Sequence, residues 1–146
     1  MEMADKHFNF ARPAAAVCSS NASLEDVLRA AKLLCKREDF VQLFDYSSRI
    51  VPKLMPAYIN AVLRHREGST ISSNVGIEML LLLCGSTDIR KAIKECGAKE
   101  GNNFIVFASP SALLKKFAKA SGVKVIRSVK LDIDFEEASA VARVMH

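Results

Sequence analysis

Residues 73–98, SNVGIEMLLLLCGSTDIRKAIKECGA, decide how the chain is built. Val75, Ile77 and Met79–Leu83 leave almost no polar face, so this spacing predicts a central helix buried on most sides. Ser73 or Asn74 stands where a capping oxygen is needed, and Gly85 stops the helix. Thr87 is placed to cap a second helix, with Asp88 in its first turn, where a negative charge complements the dipole. Ile89, Ala92, Ile93 and Cys96 form the inner stripe of that helix, while Arg90, Lys91 and Lys94 face out. Gly97 is expected to end it in the left-handed conformation that glycine adopts most cheaply. Glu78 breaks the apolar pattern. A carboxylate among Ile77, Met79 and Leu80 is costly to bury unless it is paired or hydrogen-bonded. Either it lies on the helix's single polar edge or contacts a loop backbone, or it meets an arginine or a partner chain.

Upstream of this stretch, HFNFARPAAAVCS (residues 7–19) alternates at Phe8 and Phe10 and then runs apolar to Cys18, which predicts a first strand. Pro13 places part of it at an edge or bulge. Ser23 and Asp26 form a weak capping box for a helix reaching about Lys36. Leu24, Val27, Leu28, Ala31, Leu34 and Cys35 are its stripe. After the KRED turn, FVQLFDYS reads as a second strand. Pro52 and Pro56 flank the start of a helix over residues 53–66, and HREGSTISSN (residues 65–74) is a polar linker suited to a mobile loop.

Downstream, FIVFA (residues 104–108) is a third strand, and Ser109 and Pro110 are expected to open a helix at cap and first position. Its core residues are Leu113, Leu114 and Phe117, and Gly122 ends it. VKVIRSVKL (residues 123–131) is a fourth strand. Asp134 and Glu137 then cap a last helix carrying Phe135, Ala138, Val141 and Val144. The expected architecture is α/β in the α+β sense. A small central sheet of about four strands is packed by about six helices in one domain over residues 1–146.

Composition narrows the function classes. A chain of 146 residues is long enough for a core that needs no staples. The net charge of +5 and pI near 9.1 favour acidic or phosphate-bearing partners, but the cations are scattered. The four cysteines (Cys18, Cys35, Cys84, Cys96) form no CxxC pair. His7, His65 and His146 are isolated, so no metal site is expected. Free thiols suit a reducing compartment. There is no leader-like start, and the longest apolar run is Met79–Cys84, well short of the roughly 20 residues of a membrane span. The expectation is therefore a cytoplasmic chain, nuclear as well if eukaryotic, without membrane contact. No phosphate-cradling glycine motif is present. Cys84, at a helix C-terminus, lacks the dipole support of an activated thiolate and reads as a small core filler. No catalytic residue and no cofactor are expected.

Asn74, Glu78, Leu80–Leu83, Cys84-Gly85, Ile89, Ala92-Ile93, Gly97-Ala98-Lys99 and Gly101 follow an ordered pattern. It consists of a Ser/Asn lead, an apolar helix with one glutamate, a small residue before glycine, I-x-x-A-I, and G-[IVA]-K-x-G. In this the chain resembles the small kinase-binding subunits of the KEOPS (EKC) complex, the PRPK-binding protein family. VQLFDYSSRIVPKLMPAYINAVL (residues 41–63) is similar to that family's strand ending in Q-x-F-D-A and the helix after it. The resemblance spans roughly residues 8–130. Two departures stand out. Cys84 replaces the family's common serine, and Thr87-Asp88 stand where an arginine and a glutamine are frequent; Arg90 or Lys91 offers a cation one turn on.

The resemblance implies a regulatory subunit that binds the N-terminal lobe of a small atypical protein kinase/ATPase. In that complex it helps recruit tRNA, through the 3′ CCA end, for threonylcarbamoyladenosine modification beside the anticodon. Tyr58, Ile59, Ile77, Leu81, Ile89 and Ile93 are the expected kinase-facing residues. Lys53, Arg64, Arg66, Arg90, Lys91 and Lys94 are expected to line a route for the tRNA, provided the helices over 53–66 and from Ile89 lie side by side. The isolated chain has a homodimer open to it. A free-standing RNA-binding module without a kinase partner and a small thiol-dependent enzyme are the competing readings.

Overall fold

The computed structural model describes residues 10–47 and 49–131. Four six-residue strands, β1 (Ala14–Ser19), β2 (Phe40–Asp45), β3 (Phe104–Ser109) and β4 (Lys124–Val129), form one sheet in the order β2-β3-β1-β4, every neighbouring pair antiparallel. The fold is α+β. β1 thus sits inside the sheet, with Pro13 just before it, where its missing N–H costs no ladder bond. The irregularity lies between Val17 and Cys18, opposite β4.

Side chains alternate across the pleat, and the two faces bury different helices. Ala15, Phe40, Phe44, Ile105 and Phe107 pack under α2 (Leu54–Glu67), α3 (Val75–Cys84) and α4 (Ile89–Cys96). Ala16, Cys18, Val41, Leu43, Val106 and Ala108 pack under α1 (Leu24–Leu33) and α5 (Ala112–Ser121). β2 and β3 are covered on both sides, which is why they read as unbroken apolar runs. β4 is exposed along most of its length. The expected strand at Phe8 and the last helix from Asp134 lie outside the described residues.

The ends of the helices show where local sequence rules held. Ser23 Oγ accepts the Asp26 amide. A second acceptor comes from far along the chain, where Glu100 Oε2 takes the Leu24 amide at 2.7 Å. Asn74 caps α3 through the Ile77 amide, and Gly85 closes it at φ +67. Three expectations are corrected. Asp88, not Thr87, caps α4, accepting the Arg90 and Lys91 amides; its longer side chain reaches both donors from one position nearer. Gly97 is extended (φ −77, ψ 161). Glycine fits there because a Cβ would lie 2.5 Å from the Ile93 carbonyl oxygen. Ser109 is the fully buried last residue of β3, its bond to Pro110 is cis, and α5 begins at Ala112 behind Ser111.

Candidate functional site

Glu78 is fully buried, and its carboxylate serves both roles open to it. It accepts the Ser72 amide at 3.1 Å and the Ile71 amide at 3.4 Å, and it lies 3.8 Å from the Arg64 guanidinium. The linker expected to be mobile is therefore tied at two amides to the start of α3.

The proposed kinase-facing residues separate by burial. Tyr58, Ile59 and Leu81 belong to the core. The Tyr58 ring packs on Phe40 and Phe107, its hydroxyl donates to the Ala11 carbonyl at 2.9 Å, and Ser109 Oγ lies at the same distance. Burial pushes its pKa up. These three positions cannot face a partner. Apolar residues surround α2 and α3 on several sides, so periodicity alone did not tell the sheet-facing side from the outer one. Ile89 and Ile93, by contrast, are 36% and 45% exposed, and Ile77 is half-buried.

Ile77 and Ile93 meet in a groove of about 390 Å³ beside the free edge of β2, whose opposite wall is Leu28, Ala31 and Cys35 of the α1 region. The edge itself is blunted. Gln42 Nε2 donates to the Leu43 carbonyl at 3.2 Å, and Cys35 Sγ, 3.4 Å from the Ala31 carbonyl, covers the Val41 carbonyl at 3.8 Å. With the Leu43 carbonyl occupied and the Val41 carbonyl covered, the groove favours side-chain or helix packing over an added strand. Gly76 lets α3 close over β2 here, since a Cβ at that position would stand 2.8 Å from Gln42 Cβ.

The six cations do not form one face. α2 packs on α3 and α3 on α4, so α3 stands between the helices expected to be neighbours. Lys53 precedes α2 and Arg64 and Arg66 lie in its last turn, roughly 15–20 Å apart at 1.5 Å per residue. Arg64 faces Glu78. Arg66 makes a two-pronged contact with Glu38 at 2.9 and 3.0 Å and covers the Phe10 ring at 5.3 Å; the Glu38 hydrogen bonds raise its pKa. Both serve the fold. Arg90, Lys91 and Lys94 project from α4 with no ion pair among the described residues.

A second cationic region escaped the sequence reading. Tyr46, 41% exposed just beyond β2, carries the Arg127 guanidinium 5.1 Å above its ring, and the two also touch through the Tyr46 hydroxyl. Beside it, Arg49 and Lys53 line a cleft of about 280 Å³ with Asp45, Cys84, Glu95 and Cys96. Strand β4 and the β2–α2 connection are remote in sequence, so no local pattern joined Arg127 to Tyr46.

Cys84 is half-buried, packed against the edge of the core and also lining this cleft. Its thiol donates to Glu95 Oε2 at 2.8 Å, and that bond to a carboxylate, aided by desolvation, raises its pKa from 9.0 to about 11. Thiolate is therefore scarce at neutral pH. Among the described residues no three metal-binding side chains cluster, and no helix is long and apolar enough to cross a membrane. No protein-family model and no curated protein matches the chain.

Proposed function

We propose that the chain is a non-catalytic docking subunit of the KEOPS type, binding a small atypical kinase/ATPase and helping to present the 3′ end of tRNA. The observation that carries the reading is α4, where Ile89 and Ile93 are exposed on the same short helix as three cations that make no ion pair among the described residues. Apolar surface beside polar residues is typical of protein-docking sites. Ile77 and the groove at the β2 edge extend that surface. The resemblance of residues 73–101 to the KEOPS kinase-binding subunits supplies the identity of the partner.

The RNA contact is assigned to Tyr46, Arg127, Arg49 and Lys53 together with the α4 cations. Single-stranded ends are held by a stacking ring beside cations, and Tyr46 is the exposed ring that has them. The same feature favours the second reading, an RNA-binding module with no kinase. Size-exclusion chromatography of the chain with a KEOPS-type kinase from the same source separates the two. Co-elution is expected; separate elution of two folded proteins, with oligonucleotide binding retained, selects the second reading.

A further inference from the structure

The cleft beside Lys53 contains two thiols that neither docking reading uses. Cys84 is the last residue of α3 and Cys96 the last of α4, and both line the cleft together with Glu95. Cys84 Sγ is 2.8 Å from Glu95 Oε2, and Cys96 lines the same cleft of about 280 Å³. Both thiols are partly exposed, whereas Cys18 lies buried in the sheet and Cys35 is held by the Ala31 and Val41 carbonyls.

We propose that Cys84 and Cys96 are a redox modification site that closes to an intramolecular disulfide by exchange with a small-molecule disulfide such as oxidised glutathione. In the first step Cys96 loses its proton to solvent and its sulfur attacks one sulfur of the small disulfide. A mixed disulfide forms and one small thiolate departs. In the second step Cys84 gives up its proton to solvent and its sulfur attacks Cys96 Sγ, releasing the second small thiolate. Two protein thiols are oxidised and one small disulfide is reduced to two small thiols, which take up the two protons that Cys96 and Cys84 release. The hydrogen bond to Glu95 keeps Cys84 protonated and unreactive toward most intermolecular oxidants. Once Cys96 carries the mixed disulfide, the cleft that both residues line makes the second attack an intramolecular one. The bond ties the ends of α3 and α4 together and releases Glu95 from Cys84, in the cleft that Arg49 and Lys53 also line.

The test is incubation of the folded full chain in glutathione buffers of graded ratio, followed by acid quench, intact mass and peptide mapping. The expected product lacks two hydrogens and yields a linked pair of peptides containing Cys84 and Cys96. Cys84→Ser should stop at a glutathione adduct on Cys96. Glu95→Gln, which leaves both thiols in place, should still form the link but with altered kinetics of adduct resolution. A link through Cys18 or Cys35, or persistent adducts on the wild type with no internal link, would overturn the proposal. Kinase and RNA binding do not enter the readout, so failure of this site is distinguishable from failure of the docking role.

Discussion

Replacing Glu78 by alanine removes the acceptor for the Ile71 and Ser72 amides and leaves Arg64 facing no carboxylate. Unpaired buried donors cost about 1–3 kcal/mol each, and some of that is recovered by water at the loop. A loss of about 2–4 kcal/mol in chemical denaturation is expected for Glu78→Ala. Glu78→Gln keeps one carbonyl acceptor and should lose less; equal losses would remove the carboxylate from this role. Cys84 gives a pH prediction. Its pKa is higher in the folded chain, about 11 against 9.0, because the thiol donates to Glu95. The folded state thus holds this proton more tightly. The contribution to stability is complete below 9.0 and is lost as pH rises through about 11. Alkylation of Cys84 by iodoacetamide should follow the same rise, and Glu95→Gln should move its midpoint to lower pH. An unchanged midpoint would show that Glu95 is not the cause.

Among the elements, the α3–β2 contact is set by Gly76. A methyl group there would meet Gln42 at 2.6 Å (Oε1) and 2.8 Å (Cβ). The amide end can rotate away but the Cβ cannot, so Gly76→Ala should destabilise by about 1–3 kcal/mol, read by thermal or urea unfolding. Stability at the wild-type level would mean that α3 does not approach β2 this closely. Apolar runs and stripes were enough to place α1 to α5 and the four strands, whereas the end signals misplaced the starts of α4 and α5 at Thr87 and Ser109-Pro110. What they left open was long-range. The sheet order, the Glu100 cap on α1 and the Arg127–Tyr46 stack all join residues far apart in the chain. The site was half legible for the same reason. α4 has one apolar stripe, so Ile89 and Ile93 could be picked out, whereas α2 and α3 are apolar around much of their circumference and concealed that Tyr58, Ile59 and Leu81 face inward. Asn60 gave no signal either: it is fully buried in α2, and its amide has no hydrogen-bond partner among the described residues.

Over the whole molecule, a basic excess becomes functional only where the cations are not already committed. Arg64 and Arg66 are paired within the fold, whereas Arg90, Lys91 and Lys94 make no ion pair with any described residue. Exchanging the three α4 cations for glutamine should weaken binding of a single-stranded CCA-ended oligonucleotide and flatten its salt dependence. Each lost phosphate contact lowers the slope of log K against log salt by about 0.7. An unchanged slope would move the RNA contact off α4. The central claim is that the exposed isoleucines of α4 are a docking surface for a kinase. Calorimetric titration of a KEOPS-type kinase from the same source into wild type and into the Ile89→Glu/Ile93→Glu variant tests it most directly, with circular dichroism verifying that both are folded. The account predicts saturable binding by wild type and a loss of about 30-fold or more in the variant, the scale of an interface hot spot. Equal affinity for the two chains, or a folded wild type that binds no kinase, would contradict it.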